Sequence, residues 1–274
     1  MAIVGTTPLS GTRWTGHCFT MCNMRGTQTV VRSISLLREV AGRGTFGWRL
    51  TDLAAHCGLD KATAYRMLKC LEEERLVKRR ASDRHYLPGP LLFELGLTLA
   101  PLATFQATAQ APLSRLARRT GGVAFLYLRS SNDFVCAGRV GRTQLKGLSI
   151  QIGTRRPLVT AAGGVAIVVA LPAEESRSVV AENMKRLSRF SELRARSIER
   201  MLKHSRSQGF GVNLEDVVPG INAFGVAIRD AQGQPIASLG LSGSADDFPQ
   251  LGQATLRDLM EEEASLLAKH LPED

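Results

Sequence analysis

Apolar positions along the chain recur first at a helical period and later at an alternating one. Val30, Ile34, Leu37 and Val40 follow at steps of three and four, which predicts a helix over about Gln28–Ala41 with one apolar stripe. Gly42 and Gly44 end it. Leu50–Cys57 reads as a second, short helix, with Thr51 as its N-cap and Gly58 as its stop. Asp60 caps a third helix, from Lys61 to about Glu74, that buries Ala64, Met67, Leu68 and Leu71. Its other face shows Lys61, Thr63, Tyr65, Arg66 and Lys69. Leu76–Arg80, the turn formers Ala81-Ser82-Asp83, and Arg84–Leu87 predict a β-hairpin with a basic tip.

Beyond Pro90 the pattern predicts a linker helix to about Leu102, then a helix ending at Arg118-Arg119 before Gly121-Gly122. Val123–Leu128 and Phe134–Val140 form a hairpin turned by Asn132-Asp133, and Leu145–Ile152 is a third strand. Helices follow at about Ala161–Leu171 and Ser191–Ser207, the latter stopped by Gly209. Phe224–Ile228 and Ile236–Leu241 flank a turn at Asp230–Gly233, and Asp247–Leu271 closes the chain as a long helix. An antiparallel sheet with helices on its faces is an α+β domain. The longest apolar stretch, Val165–Pro172, has the length of a core element, and no apolar run reaches 18 residues, which excludes a transmembrane helix.

Composition adds charge to this picture. The 274 residues carry 35 Lys+Arg against 25 Asp+Glu, a surface that attracts polyanions. The excess is uneven: residues 27–90 hold 12 bases and 7 acids, residues 91–274 hold 21 and 18. The short basic segment is the one with two helices joined through a Gly58 turn, the helix-turn-helix pattern whose second helix enters the major groove. The hairpin is its wing, with bases suited to phosphate. A merely solvated charged face is the bland alternative for these bases. Thr63, Tyr65, Arg66 and Lys69 are the candidates for base edges or phosphates, with Lys61 on the same face; Arg79, Arg80 and Arg84 are the candidates for the backbone. Arg66 has a second reading, an ion pair with Glu39 or Glu72.

Gly58-Leu59-Asp60-Lys61-Ala62-Thr63-Ala64-Tyr65-Arg66-Met67-Leu68, then Leu71-Glu72 and Leu76-Val77, resembles the winged-helix segment of the IclR family of bacterial transcriptional regulators. His85–Pro90 and Glu94-Leu95-Gly96 resemble that family's end of wing and start of linker helix, and the likeness covers about residues 28–270. It implies four parts: a tail over 1–26, a winged helix-turn-helix DNA-binding domain over 27–88, a linker helix over 89–105, and a GAF-like α+β effector-binding domain over 106–274.

In that last domain Gly153–Pro157 with Thr160–Gly163, the stretch Gly209–Ala223, and Gly233–Gly243 resemble the family's effector segments. By position the resemblance puts the ligand at Ala161, Ala162, Asn213, Ala223, Gly240 and Ser242. The backbone N–H groups of Ala161-Ala162 at a helix start would seat a carboxylate, and Asn213 and Ser242 would donate or accept hydrogen bonds. The chain departs from the pattern at Gly164, where the family commonly has Lys, at Asn213, an amide for an acid, and at Gly240, which lacks a hydroxyl. These departures imply a larger, less polar pocket suited to an apolar or aromatic acid. Close packing of small residues is the competing account of Ala161, Ala162 and Ala223.

One recognition helix covers a short half-site, so double-stranded DNA would be read as a pseudo-palindrome by a homodimer, with a tetramer as a further step. Leu91, Leu92, Leu95, Leu99 and Leu102 of the linker are the expected dimer seam, packing on their own domain being the other reading. No catalytic or cofactor motif stands out, His56 and His204 read as surface or capping residues and Cys136 as core. A small-molecule-binding or enzymatic domain fused to a non-regulatory DNA-binding module is the alternative function. His17, Cys18 and Cys22 lack a second ligand pair at zinc-like spacing, so no metal is expected. Five scattered cysteines and an N-terminus without an export signal place the chain in the cytoplasm, and Met21 or Met24 is an alternative start.

Overall fold

A computed structural model of the chain describes residues 27–141, 150–187, 192–246 and 252–271. Its first part is three helices and a hairpin: α1 (Gln28–Gly42), α2 (Leu50–His56), α3 (Lys61–Glu73), β1 (Val77–Arg79) and β2 (Tyr86–Pro88). Leu36, Val40, Leu53, Met67, Leu68, Leu71, Val77 and Tyr86 form its core. The buried face of α1 differs from the stripe its periodicity predicts. Leu36 is buried with Val40 and Leu37 is half-buried, whereas Val30 and Ile34 are exposed. The buried positions of α1 fall in its second half, in the core shared with α3 and the wing, and among the described residues nothing covers Val30 or Ile34. Helix α2 starts one residue early, with Arg49 in extended conformation before it, so Thr51 lies inside the helix. Gly58, at φ +64°, makes the turn into Asp60. Trp48 bridges to Tyr86 as a third piece of the wing sheet, donates Nε1–H to Glu39 O (2.9 Å), and carries the Arg43 guanidinium over its ring at 4.0 Å.

The linker is not one helix. It is α4 (Pro90–Gly96), a break at Leu97–Leu99, and α5 (Ala100–Thr108), continued by α6 (Gln110–Thr120); the bend across the break is 89°. Pro101 explains it, because proline lacks an N–H and disfavours helical backbone in the residue before it. Phe93, Leu95, Leu97, Leu99 and Leu102 are left exposed, Phe93 to 71% and Leu97 to 63%.

A six-stranded antiparallel sheet forms the second part, ordered β5-β4-β3-β8-β7-β6: β3 (Val123–Ser130), β4 (Asp133–Val140), β5 (Arg155–Pro157), β6 (Gly211–Leu214), β7 (Ile221–Arg229) and β8 (Pro235–Ser244). The edge strand is thus 155–157. Of the strand expected at Leu145–Ile152, residues 145–149 lie outside those described and Ile150–Ile152 are loop. On one face of the sheet Leu126, Phe224, Val226, Leu239 and Leu241 pack under α5, α6 and α10 (Gln253–Ala268). A bidentate pair from Arg115 to the buried Glu263 (2.7 and 2.6 Å) ties α6 to α10.

The other face carries Val123, Phe125, Tyr127, Phe134 and Cys136 under α7 (Ala162–Ala170), α8 (Ala173–Leu187) and α9 (Glu192–Gln208). Helix α8 is absent from the periodicity because its buried face is Ser176, Val179 and Asn183, two of them polar. Asn183 earns its burial by hydrogen bonds: its Oδ1 accepts Val159 N–H (3.3 Å) and its Nδ2 donates to Asn132 O (3.0 Å).

The two parts touch at the end of α1. A Cβ on Gly42, the last residue of α1, would stand 3.5 Å from Arg155 Cβ on β5.

Candidate DNA-binding and ligand-binding sites

Asp60 starts the recognition helix as its sequence suggests. Its Oδ1 accepts Thr63 N–H at 2.8 Å, and the Thr63 hydrogen bonds hold the carboxyl below its ordinary value. That cap, with Ala64, Met67, Leu68 and Leu71 buried, fixes the rotation of α3 about its axis. Lys61, Tyr65, Arg66 and Lys69 therefore project together into solvent, with Thr63 half-buried among them. Tyr65, 44% exposed, is an unusual aromatic to leave in water. Arg66 donates Nη2–H to Thr63 Oγ1 (3.4 Å); neither Glu39 nor Glu72 takes it, since Glu39 lies 3.2 Å from His56 Nε2. Lys69 leans on Glu73 at 3.7 Å along its own helix.

In the wing the three arginines differ. Arg80 grips Asp83 with two bonds (2.9 and 2.7 Å) and donates to Thr45 O (2.9 Å) and Phe46 O (3.2 Å). It is the pin that joins the hairpin tip to the segment after α1, and it holds the Asp83 carboxyl well below its ordinary range. Arg80, expected with its neighbours to hold the DNA backbone, is thus engaged within the wing by the acid three residues on. Arg79 lies over the Tyr86 ring (5.5 Å to the centroid), with Nε buried and unpartnered. Arg84 is exposed at φ +62°, on the outside of the tip.

The six expected ligand residues meet on the sheet face beneath α7. Register places Asn213 opposite Ala223, Ala223 opposite Ser242, and Ser242 opposite Val123, one rung across four strands. The next rung is Gly211, Gly225, Gly240 and Phe125. Three glycines in a row leave a groove without side chains, and the first turn of α7 sinks into it: a Cβ on Gly211 would stand 2.0 Å from Ala162 O. Ala161, in extended conformation, precedes that helix, and no side chain caps it. Asn213 is buried with both ends of its amide engaged, Nδ2 donating to Ile221 O (3.2 Å) and Oδ1 accepting Val217 N–H (3.1 Å). It closes the β6–β7 connection. Ser242 is buried, and Ala161 and Ala223 are half-buried.

One expectation about this face is overturned. Gly240 was to leave extra room, but the Tyr127 ring occupies it: a Cβ there would meet Tyr127 Cε2 at 2.5 Å, and one on Gly163 would meet Cδ2 at 2.3 Å. Tyr127 stacks on Phe125 (5.5 Å) and tilts against Phe134 (4.6 Å). Burial pushes its phenol up. Around it stand Arg139, Arg156 and Ser238. Arg139 pairs with Phe125 and Arg156 with Phe134, so strand alternation sends both onto this face. Sequence reading named none of the four as a site residue, although Arg156 and Ser238 fall within the stretches that resemble the family's effector segments. The signal was present in the alternation Val123, Phe125, Tyr127, but the bulge at Leu126/Tyr127 shifts the parity of β4.

Among the described residues no three His, Cys, Asp or Glu side chains gather as a metal site. His17, Cys18 and Cys22 lie outside them. No single described helix is long and apolar enough to cross a membrane.

A winged helix-turn-helix followed by this α/β/α layered domain defines a DNA-binding protein that carries a second, sheet-based module. Residues 29–81 match the IclR helix-turn-helix domain and residues 103–268 the bacterial transcriptional regulator IclR C-terminal family. The chain belongs to the IclR family of bacterial transcriptional regulators. It is 26% identical over 229 residues to the glycerol operon regulatory protein of Streptomyces coelicolor, covering 84% of this chain and 89% of that protein. An IclR transcriptional regulator from Alicyclobacillus acidocaldarius aligns at TM-score 0.66 and 24% identity, over 89% of this chain and 98% of that one. A homologue from Microbacterium hydrocarbonoxydans, crystallised with 4-hydroxybenzoate, aligns at TM-score 0.64 and 16% identity, over 89% and 98%.

Proposed function

We propose that this regulator reads a pseudo-palindromic operator as a homodimer and changes its grip on DNA when an aromatic or apolar carboxylic acid binds beneath α7. The observation that carries the DNA assignment is the outward face of α3. Lys61, Tyr65, Arg66 and Lys69 are exposed together beside a basic wing while their helix buries a complete apolar face behind them. In this reading Thr63, Tyr65, Arg66 and Lys69 reach base edges or phosphates. Lys61, Arg79 and Arg84 hold the backbone, and Arg80 shapes the wing that presents them. The chain acts in the cytoplasm and catalyses nothing; its relatives are regulators.

The ligand assignment draws support from the rung of Asn213, Ala223 and Ser242 beneath the uncapped start of α7 at Ala161-Ala162, with the neighbouring Gly240 covered by the Tyr127 ring, and from the bound 4-hydroxybenzoate of the Microbacterium homologue. The exposed Phe93, Leu95, Leu97 and Leu99 form an apolar strip that a second copy would cover, and assembly to a tetramer would use other surfaces. The test is a band-shift comparison of cognate and random DNA. Thr63→Ala should weaken cognate binding alone, and Arg79→Ala should weaken both and lower the salt slope by about 1. Equal losses on both DNAs from both variants would contradict these roles.

A further inference from the structure

Three residues line up at one level across the wing sheet: Trp48, Tyr86 and Arg79. Trp48 and Tyr86 exchange both of their backbone hydrogen bonds (3.0 and 2.8 Å), and Tyr86 pairs in turn with Arg79 of β1. Side chains directly opposite one another in such a ladder project from the same face. Tyr86 is buried in the core of the DNA-binding domain, and the Arg79 guanidinium lies over its ring. The direction of Arg79, a candidate for the DNA backbone, is therefore set by Tyr86, and the place of Tyr86 by Trp48.

Trp48 is itself fixed from three sides. Its Nε1–H donates to Glu39 O of α1 (2.9 Å), the His56 ring of α2 lies 5.0 Å from it, and the Arg43 guanidinium stands 4.0 Å from its centroid. The same stretch of chain also holds the tip of the hairpin, where Arg80 donates to Thr45 O and Phe46 O. Gly47, at φ +66°, permits the close approach between these two attachments, since a Cβ there would meet Tyr86 O at 2.8 Å. Strands β1 and β2 have three residues each, and a two-stranded ribbon of that length does not hold its own orientation in water. Its orientation comes from the segment 43–48, which the Trp48 side chain ties to the helices that pack with α3.

We propose that Trp48 is the positioning residue of the wing: it touches no DNA and acts by holding Arg79 at a fixed place relative to the recognition helix. This rests on the reading of Arg79 as a contact to the DNA backbone. The test is a set of double-variant cycles on the full chain, read as binding to cognate and to random DNA at several salt concentrations. Trp48→Ala should weaken both DNAs about tenfold or more and lower the salt slope by about 1, as Arg79→Ala does. Adding Arg79→Ala to Trp48→Ala should cost less than about twofold more, because the contact is already lost, whereas adding Thr63→Ala should multiply the two losses on cognate DNA. Trp48→Phe, which keeps an aromatic ring against Arg43 and His56, should stay within about threefold of wild type. Should Trp48→Ala fail to fold, judged by thermal unfolding, Trp48→Leu takes its place in the same cycles. Losses from the Trp48 and Arg79 variants that multiply, or a folded Trp48 variant that binds random DNA like wild type, overturn the positioning role and leave the wing's contact with DNA standing. If Arg79→Ala alone leaves binding to both DNAs unchanged, the reading of Arg79 itself fails and this assignment with it.

Discussion

Arg155 and Arg156 are neighbours on β5 and face opposite sides of the sheet. Arg156 enters the face that holds Tyr127, while Arg155 is bonded to Asp133 Oδ2 (2.9 Å) and Ser130 Oγ (2.9 Å) and lies against Gly42 at the end of α1. A displacement of this short edge strand by a ligand would therefore reach the DNA-binding domain in one residue. Coupling of this sort is a free energy shared by both sites, so it must be visible from either. Gly42→Ala fits at 3.5 Å and should leave the ligand's effect on DNA affinity intact. Gly42→Leu must push Arg155 away and should reduce that effect at least threefold while leaving ligand affinity of the DNA-free protein within twofold. Titrations of ligand with and without operator, on both variants, measure this; equal coupling in both variants would contradict the path.

Tyr127 depends on two glycines. A side chain at Gly240 must displace the ring, which is held from behind by Gly163 and flanked by Phe125 and Phe134. Gly240→Ser should destabilise the chain by about 1–3 kcal/mol through overpacking. Tyr127→Ala relieves the clash, so the double variant should be more stable than the sum of the two losses implies. Denaturant unfolding of the four proteins gives the interaction energy. Additive losses would mean that the ring does not lie on Gly240.

Arg80 and Arg84 should separate by the property they change. Arg80→Ala removes four hydrogen bonds that shape the wing and should broaden or shift the amide resonances of Thr45, Phe46 and Asp83 without DNA. Arg84→Ala should leave those resonances in place and lower only DNA affinity. The Asp83 carboxyl, held low by Arg80, contributes to the wing in full above its ordinary range of about 4 and loses that contribution progressively as the pH falls from there through its depressed folded value. The wild-type wing resonances should accordingly move on acidification, and those of Arg80→Ala should not follow the same titration.

Thiol chemistry reports on the two cores separately. Burial pushes the Cys136 thiol up to about 12, and burial with the Glu39 charge pushes Cys57 up to about 11, so neither supplies thiolate at pH 8. Cys70 is exposed on α3. Alkylation followed by peptide mass mapping should label Cys70 within minutes and Cys57 and Cys136 only after unfolding. Early labelling of Cys136 would show that β4 is open to solvent.

What the sequence made legible was whatever local chemistry decides. Asp60 capping α3, the four buried residues of that helix and the Gly58 turn all follow from rules within one helix length. The linker was misread because the leucine spacing from Leu91 to Leu102 outweighed Pro101, whose missing N–H breaks the helix. On α1 the stripe was offset because Leu36 and Val40 are the positions that pack against α3 and the wing, a tertiary fact. Helix α8 escaped notice since Ser176 and Asn183 are buried for hydrogen bonding. In the ligand domain, resemblance located one rung of the sheet face, but the glycine rung and the Tyr127 ring lying on it require register, and β4's bulge hides which of its residues share that face.

The central claim is that one chain joins operator DNA to an acid ligand. A band-shift titration of the full chain on its own upstream intergenic DNA, at fixed salt, with and without benzoate, 4-hydroxybenzoate and phenylacetate, addresses it most directly. The account predicts specific binding, exceeding that to random DNA by about 10³-fold or more, that at least one acid shifts at least fivefold in either direction. Binding equal on specific and random DNA, or specific binding indifferent to every acid in the set, would contradict it.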